Sequence, residues 1–349
     1  MWNLLVGLVY VPYNIPMKHG RNTQTSSTGL EGSVDYEALV RGAALVDRSG
    51  RAVLGLTGRD PVGMLNAVLT NEVPKDAHLG AYAALLNPKG RILTDLCVLK
   101  SPSNERILVH TEPEGAQAAR EILSRYAPFS RVKIEDLSAA ADPWSVLGFY
   151  GPRAAELLGD LDLTEHESTE VKVDGATLLA VSVAVPVPGF DLVGPASTLA
   201  RARDHLLAAG AVPAGRDAYE TARVEAGVPR FGTDITPDNF PGECGILTRA
   251  VSFKKGCYPG QETVARMHYR GHPNRELHRL VVEGPSPEPG AEILQNDKRV
   301  GSITSVAPLP VDRQTLALGY LSRKTDLDAP LQAGGATIRP LALVGNSSR

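Results

Sequence analysis

The sequence predicts an α+β protein built from two related α+β units and a small C-terminal β-barrel. A Val-Leu-Gly strand pattern that ends at a glycine and precedes a helix occurs twice, at residues 53–58 and 146–151. Beyond residue 274, helical patterns give way to short strands separated by turns. A hydrophobic fraction of 43% and a charged fraction of 21% are ordinary for a globular chain of 349 residues.

The first unit is predicted from alternating apolar patterns and capping residues. Asp60 is a favourable N-cap and Pro61 a favourable first-turn residue, so a helix begins there. The sequence NPKG at residues 87–90 joins two apolar runs and is typical of a hairpin loop. The predicted elements are helix 35–46, strand 51–56, helix 61–69, strands 81–86, 91–99 and 106–110, and helix 114–126.

The second unit repeats the order of the first. Each Val-Leu-Gly pattern is followed by a helix that begins near a proline, then by strands, and then by a second helix. That second helix is predicted over residues 114–126 in one copy and 195–209 in the other. Because strand, turn and helix recur in the same order, we interpret the two units as related.

A further helix and the barrel strands complete the chain. Asp217 and Glu220 have capping-box spacing, so a helix is predicted over residues 218–226 and ends at Gly227. The predicted barrel strands are 277–282, 291–294, 299–305, 315–321 and 336–343.

These patterns divide the chain into three regions. Residues 1–32 are predicted to be a disordered extension, residues 33–273 contain the two α+β units, and residues 274–349 form the barrel. Residues 1–13 are apolar but too few to span a bilayer, so we expect no membrane association.

Charge and cysteine content exclude several classes of function. A net charge of −3 argues against a broad nucleic-acid-binding surface. The three cysteines, Cys97, Cys244 and Cys257, are far apart in the sequence. We therefore expect no disulfide framework, no metal site and no iron–sulfur cluster held by the protein. Free cysteines are typical of a reducing compartment, so we expect a cytoplasmic protein.

Cys257 lies between a pair of lysines and the predicted start of a helix. Lys254 and Lys255 precede it, and residues 261–267 are good helix formers. Positive charge and helix N-terminal amides stabilise a thiolate, so we expect Cys257 to be more reactive than an ordinary cysteine. The alternative is a buried, inert cysteine on a connecting turn.

The sequence Lys-Gly-Cys-Tyr-Pro-Gly-Gln-Glu at residues 255–262 resembles the signature of the YgfZ-type folate-binding proteins. These proteins are relatives of the glycine cleavage T-protein, an aminomethyltransferase. A second stretch, RVEAGVP at residues 223–229 followed by FGTDI at 231–235, is similar to a segment of the whole superfamily. The resemblance implies a three-lobed ring of two α+β domains and a barrel around a folate channel.

Asp95 is a candidate catalytic and folate-binding residue. It lies in the predicted strand 91–99, whose two faces are otherwise largely apolar. A carboxylate in such surroundings must be paired, protonated or functional. In T-proteins the matching stretch carries two adjacent aspartates, one of which approaches the folate, whereas Thr94 stands at one of these positions here. A salt bridge that holds the sheet is the structural alternative.

Glu225, Arg223 and Lys255 are candidate folate-binding residues. A glutamate in the last turn of a helix is unfavourable unless something binds it, and the resemblance implies that Glu225 binds the pterin ring. Arg223 would meet either the folate's glutamate tail or a backbone carbonyl. Lys255 is expected to contribute to the folate site and, with Lys254, to stabilise the thiolate of Cys257, the second candidate catalytic residue.

A cluster of basic residues follows the cysteine motif. Arg266, His268, Arg270 and His272 form either a solvated helix face or a contact for tRNA or an acidic partner. The sequence shows no aromatic stacking platform that would favour RNA.

Three functions are compatible with these residues. The first is a tetrahydrofolate-binding protein of the YgfZ type that assists iron–sulfur cluster assembly or repair and tRNA modification, with iron–sulfur client or assembly proteins as partners. The second is the aminomethyltransferase of glycine cleavage, and the third a non-catalytic folate-binding scaffold. T-proteins lack the cysteine of residues 255–262, which favours the first. The sequence leaves open whether the protein turns over a substrate.

Overall fold

A computed structural model describes residues 31–101 and 104–345. The predicted disorder of residues 1–32 therefore lies outside the described residues, except for the last two, which belong to helix α1. The helices are α1 Glu31–Arg41, α2 Pro61–Val68, α3 Ala116–Tyr126, α4 Ala154–Leu157, α5 Ala196–Ala208, α6 Arg216–Glu225, α7 Leu247–Ala250 and α8 Gln261–Arg270.

The strands form two sheets and a barrel. Those of the α+β units are β1 Ala44–Asp47, β2 Ala52–Gly58, β3 Ala81–Leu86, β4 Ile92–Ser101, β5 Asn104–Thr111, β6 Val132–Asp136, β7 Trp144–Tyr150, β8 Ser168–Val173, β9 Ala176–Val183, β10 Gly189–Pro195 and β11 Val212–Ala214. Those of the barrel are β12 Arg275–Glu283, β13 Glu292–Gln295, β14 Lys298–Val306, β15 Thr315–Ser322, β16 Leu331–Ala333 and β17 Ala336–Leu343.

The two sheets share one topology, which confirms the prediction of two related units. The first sheet has the order β3-β4-β5-β2-β6, and the second has β8-β9-β10-β7-β1-β11. The first four positions of the two sheets are equivalent: they hold β3, β4, β5 and β2 in the first sheet and β8, β9, β10 and β7 in the second. The fifth strand follows the repeat in the first unit (β6) but precedes it in the second (β1). Both are antiparallel to their central neighbour.

The repeated glycines explain why the sequence pattern recurs. Gly58 has a φ of 122° and Gly151 a φ of 113°, where side chains are strained. A Cβ atom on Gly58 would lie 2.3 Å from the carbonyl oxygen of Arg131, and one on Gly151 would lie 2.4 Å from that of Gly42. In both units the chain therefore leaves its strand through a position that only glycine can occupy.

Helices α2 and α3 cover one face of the first sheet. The Asp60 carboxylate accepts a hydrogen bond from the Gly63 amide at 2.8 Å, which confirms the predicted N-cap. Met64 and Leu65 of α2 and Leu123 of α3 are buried against the sheet. Burial of each such side chain contributes about 1.5–3 kcal/mol of transfer free energy.

The C-terminal module is a closed barrel of six strands in the order β12-β15-β14-β13-β16-β17. Its interior is filled by aliphatic side chains, including Leu280, Ile293, Ile303, Leu321 and Ile338. The prediction of a small barrel is confirmed. Strand β16 was not predicted because three residues are too few to show an alternating pattern.

Two local predictions were wrong. Helix α1 ends at Arg41, and the apolar run after it forms β1 instead of a last helical turn, because β7 and β11 pair with it on both sides. The capping box is also absent: α6 begins at Arg216 with Gly215 as its N-cap. Asp217 is thus inside the first turn, and the Glu220 carboxylate pairs with arginines instead of capping an amide.

None of the helices in the described ranges is both long and apolar enough to cross a membrane.

Candidate functional site

Asp95 is buried in β4, as predicted, with only 7% of its surface exposed. The Tyr82 hydroxyl on the adjacent strand β3 donates a hydrogen bond to Asp95 Oδ2 at 2.6 Å. Within the described residues a phenol, and not an ion pair, holds this carboxylate. Burial raises the pKa of Asp95, and the hydrogen bond from Tyr82 and the charge of Arg51 oppose that shift. Asp95 is therefore a carboxyl group that holds a proton more readily than an exposed aspartate.

Thr94 and Asp95 face opposite sides of the sheet. Thr94 is fully buried, and its hydroxyl lies 3.0 Å from that of Thr111. A Cβ atom on Gly115, just before α3, would lie 1.9 Å from Thr94 Oγ1, so this position is tightly packed. Asp95 is thus the member of the pair that faces the polar side chains between the two sheets.

A buried polar cluster lies beside Asp95, between the two sheets. Arg51, immediately before β2, donates from Nη1 to Glu112 Oε1 and from Nε to His110 Nδ1, the latter at 2.7 Å. Arg48 donates from Nη2 to the same glutamate oxygen at 3.3 Å. Burial, together with the charges of Arg51 and Arg48, lowers the pKa of His110 well below its usual range. His110 is therefore neutral, and because its Nδ1 accepts, its proton is on Nε2.

The second sheet contributes Asp191 of β10 and Tyr150 of β7 to this cluster. The Tyr150 hydroxyl donates to Asp191 Oδ1, and Arg48 Nη1 lies 3.5 Å from the same oxygen. His110 Nε2 lies 3.8 Å from Asp191 Oδ2. Asp191 is almost fully buried, and both of its carboxylate oxygens face these partners. Sequence reasoning missed this cluster, although His110 and Asp191, like Asp95, are ionisable residues within apolar strands.

Glu225 is the last residue of α6 and is half-buried. The Tyr36 hydroxyl of α1 donates a hydrogen bond to Glu225 Oε2, and burial together with this carboxylate raises the pKa of Tyr36. Among the described residues, no hydrogen bond to Oε1 is present. Tyr219, six residues earlier on α6, stacks on Tyr150 with ring centroids 5.7 Å apart. Helix α6 thus connects Glu225 to the polar cluster between the sheets.

Arg223 is buried, and its guanidinium is used within the protein. Nε donates to Glu220 Oε2 at 3.0 Å, and Nη2 donates to Ser305 Oγ of the barrel at 2.8 Å. Nη1 donates to Asp234 Oδ2 at 2.7 Å and to the Val228 carbonyl oxygen at 2.8 Å. The sequence allowed either a folate glutamate tail or a backbone carbonyl as the partner of Arg223, and the structure shows the backbone carbonyl. The geometry makes Arg223 a link between α6 and the barrel and gives no support to folate binding by this residue.

Lys255 caps the C-terminal end of α2. Its Nζ donates to the carbonyl oxygens of Asn66 at 2.7 Å and Leu69 at 2.8 Å. Lysine at this end of a helix also interacts favourably with the helix dipole. Burial lowers the pKa of Lys255 to about 8, although Glu72 and the neighbouring Cys257 oppose the shift. The ammonium group is therefore within electrostatic range of Cys257 but is directed to the backbone of α2.

Cys257 lies on an exposed loop before α8, so the buried-turn alternative is wrong. Gly260, between this loop and the helix, has a φ of 80°. A Cβ atom there would lie 2.5 Å from the Asn87 carbonyl oxygen and 2.8 Å from Gly90 Cα. The glycine is thus required for close packing on the β3–β4 hairpin, whereas Gly256 has open space around it.

The structure separates the predicted site residues into two groups. Asp95 lies at the polar cluster, and α6 links Glu225 to that cluster, whereas Cys257 and Lys255 are on the loop that packs against α2 and the β3–β4 hairpin. Arg249, in the helix before this loop, lies over the Tyr82 ring at 5.3 Å and connects the two groups. A cavity of about 260 Å³ is present elsewhere, between α8 and the barrel, and none of these predicted site residues lines it.

Comparison with protein families identifies the fold. The model of the GCVT N-terminal domain matches residues 12–255, and that of the CAF17 C-terminal β-barrel domain matches residues 274–342. The chain belongs to the GCVT family. Its combination of a GCVT domain with a CAF17 barrel is of the YgfZ/CAF17 type, as the cysteine motif indicates.

Relatives of this GCVT-family chain are named aminomethyltransferases. Aminomethyltransferase from Moorella thermoacetica is 28% identical over 295 residues, covering 81% of this chain and 79% of the relative. Aminomethyltransferase from Staphylococcus carnosus is 26% identical over 300 residues, covering 83% and 81%. The crystal structure of glycine cleavage system aminomethyltransferase T from Bartonella henselae matches with a TM-score of 0.76 at 22% identity and covers 90% of both chains. The predicted T-protein-like fold, with a C-terminal β-barrel, is thus confirmed.

Proposed function

We propose that this GCVT-family protein binds a reduced folate and acts as a YgfZ-type protein in iron–sulfur cluster assembly or repair. The observation that carries the proposal is a pair of carboxylates, each held by a tyrosine: Asp95 by Tyr82 and Glu225 by Tyr36. Family membership supports the choice of folate as the ligand.

The two carboxylates fit different parts of a folate. The pterin ring presents an amino group and ring N–H groups, and Glu225 has one carboxylate oxygen, Oε1, to accept from them. Asp95, whose pKa burial raises, can hold a proton and exchange it with a nitrogen of the ligand. The bound folate supplies the one-carbon chemistry, while the chain binds the pterin and positions one proton.

Cys257 is the residue that we assign to the iron–sulfur role. Its thiol is exposed on the loop before α8 and is separate from Asp95 and Glu225. Replacing Cys257 with serine should therefore leave folate affinity unchanged but lower the activity of iron–sulfur enzymes in cells that depend on this protein. Immunoblots of the same cells control for protein abundance, and a matching fall in folate affinity would contradict this separation of roles.

Calorimetric titration with tetrahydrofolate tests the pterin assignment. Glu225→Ala removes a charged hydrogen-bond acceptor and should cost about 1.5–3 kcal/mol, or roughly tenfold or more in affinity. Tyr36→Phe is the matched control, because it removes the same internal hydrogen bond but keeps the carboxylate, and we expect near-normal affinity. Equal affinity of Glu225→Ala and the unmodified protein would refute the assignment. An equal loss in both variants would indicate a purely structural role.

Aminomethyl transfer in glycine cleavage is the second candidate. The relatives named aminomethyltransferase, aligned over about four-fifths of the chain, favour it. Thr94 is weak evidence against it, because Thr94 faces α3 and Asp95 retains the position beside the polar cluster. The stronger grounds for the YgfZ type are the cysteine motif at residues 255–262 and the CAF17 barrel.

A further inference from the structure

We propose that helix α8 and the cavity beside it form a docking surface for an acidic segment of a partner protein, which binds through one apolar anchor side chain. We call this region the α8 surface. It comprises the cavity and the surrounding residues Phe253, Lys254, Arg266, His268, Tyr269 and Arg270.

The cavity has the size and lining of a pocket for one side chain. Its volume is about 260 Å³, and its apolar lining includes Leu247, Met267, Leu277, Leu343 and Val344. Small-molecule sites usually enclose about 300–1,000 Å³, so this cavity is small for a cofactor. An aliphatic or aromatic side chain that enters it would bury most of its apolar surface, and such anchors dominate the affinity of protein interfaces.

Three rings form an aromatic group at the edge of the cavity. His268, which also lines the cavity, stacks on Phe253 with ring centroids 4.3 Å apart and an interplanar angle of 16°. Tyr269 meets both rings edge-on, at 5.6 Å and 4.7 Å. Tyr269 remains 67% exposed although it is held by these contacts. An exposed but preorganised tyrosine is typical of binding surfaces, and sequence reasoning did not anticipate this aromatic group.

Helix α8 and the loop before it also carry exposed cations. Lys254, Arg266 and Arg270 are exposed, and none of them forms an ion pair with another described residue. One exposed carboxylate, Glu262, is on the same helix. Two unpaired cations one turn apart on α8 and a third on the preceding loop, in a chain with a net charge of −3, are complementary to carboxylates of a partner.

The cavity lining favours a polypeptide over a nucleic acid. Glu243 and Glu276 both contribute to it. Glu243 pairs with Arg275 at 3.5 Å, whereas Glu276 forms no ion pair with another described residue. The Glu276 carboxylate would repel a phosphate group that entered the cavity, but an uncharged apolar side chain is indifferent to its charge. The cations outside and the carboxylates inside thus select a chain with acidic residues around an apolar anchor.

Cys257 lies close to this surface. It is four residues from Phe253, so their Cα atoms are no more than about 14 Å apart. A segment docked on the α8 surface would therefore pass near an exposed thiol, which provides a covalent reporter of its position.

The test is selection of random-sequence peptides displayed on phage against the full-length protein. We expect enrichment of peptides in which a Leu, Ile, Met or Phe is flanked by Asp or Glu. A synthetic peptide from the enriched group, labelled with fluorescein, then gives affinities by anisotropy. A chloroacetyl group on this peptide should alkylate Cys257 and no other cysteine, with Cys257→Ser as the control.

Matched variants locate the binding surface. The double variant Arg266→Glu with Arg270→Glu should lower the affinity for the peptide about tenfold or more. It should also remove the salt dependence of peptide binding. Thr248→Trp places a large side chain at an exposed position of the cavity lining and should weaken binding as strongly. Arg201→Glu with Arg203→Glu, at exposed positions of α5, makes the same change in net charge and should have no effect on peptide binding.

Three results of the peptide experiments would overturn the proposal. They are no enrichment, enrichment of peptides without acidic residues, and binding that survives both α8-surface changes. A fluorescein-labelled oligonucleotide is compared with the peptide. If the oligonucleotide binds more tightly than the peptide and its binding is lost in the same variants, the surface binds nucleic acid, and this result would also contradict the proposal. The variants do not alter Asp95 or Glu225, so tetrahydrofolate titration of the same samples tests the folate proposal separately.

Discussion

The three cysteines differ in their surroundings, and these differences predict their reactivity. Cys257 is exposed, whereas burial raises the pKa of Cys97 to about 11 and also raises that of Cys244, despite a hydrogen bond from the Tyr320 hydroxyl at 3.2 Å. A raised thiol pKa lowers the thiolate fraction at neutral pH. We therefore expect iodoacetamide to label Cys257 first.

Peptide mass spectrometry after timed labelling checks this order at several pH values. Cys97 should gain reactivity only in strongly alkaline solution, as its thiolate forms. If Cys244 is labelled as fast as Cys257 under native conditions, the reactive-thiol interpretation of the motif is wrong.

Asp95 should make the stability of the protein depend on pH. Because burial raises its pKa, the folded protein keeps this proton after the unfolded chain has lost it, above about pH 4. The contribution of Asp95 to stability is thus complete below that pH and is lost as the pH rises through the folded-state pKa. Each pKa unit corresponds to about 1.4 kcal/mol.

Asp95→Asn should abolish this dependence. The amide oxygen can still accept from Tyr82, so the variant should be more stable than the unmodified protein at pH 7 and no more stable below about pH 4. Urea unfolding across this pH range measures the difference. Asp162→Asn, at an exposed position, is the control. A loss of stability at pH 7 would indicate that Asp95 is a structural carboxylate that must be charged.

The burial of a residue within a local apolar pattern could be predicted from the sequence, but the partners of residues in long-range hydrogen-bond networks could not. The buried position of Asp95 follows from the apolar alternation of its own strand. The partners of Arg223 and Lys255 do not, because Ser305 of the barrel and the end of α2 come from distant parts of the chain. In the structure, Arg223 and Lys255 form hydrogen bonds at junctions between elements, and these bonds could not be foreseen from the local sequence.

At the scale of elements, the turn before α8 depends on one glycine. Gly260→Ala would force a side chain into a left-handed conformation and against the β3–β4 hairpin, at a cost of about 1–3 kcal/mol or more. Gly256→Ala, in open space within the same motif, should change stability by less than about 0.5 kcal/mol. Thermal unfolding of the two variants tests this contrast, and equal effects would contradict it.

Element boundaries show where sequence patterns reach their limit. The apolar residues of β1 are compatible with a helix or a strand, and pairing with β7 and β11 decides between them. Because β1 pairs with β7 and β11, it belongs to the second sheet, although it precedes all the strands of the first sheet in the chain. Local periodicity contains no information about such pairings, whereas the N-cap at Asp60 and the barrel strands depend on local chemistry and were predictable.

At the scale of the whole molecule, the two repeated units and the barrel bring distant residues to common junctions. The repeat was visible in the sequence because Gly58 and Gly151 meet the same steric requirement in both units. The polar cluster between the sheets was not, since each unit contributes only part of it. The proposed folate site depends on this arrangement, because α6, which carries Glu225, contacts the cluster through Tyr219.

The most direct test of the account is a reconstituted glycine cleavage reaction in which this protein replaces the T component. The tetrahydrofolate concentration should be one at which calorimetry of the same sample detects binding. The account predicts bound folate but no methylenetetrahydrofolate above the background without a T component, while an authentic T-protein gives full turnover. Turnover by this protein at a rate comparable to that control would contradict the YgfZ-type assignment and identify it as an aminomethyltransferase.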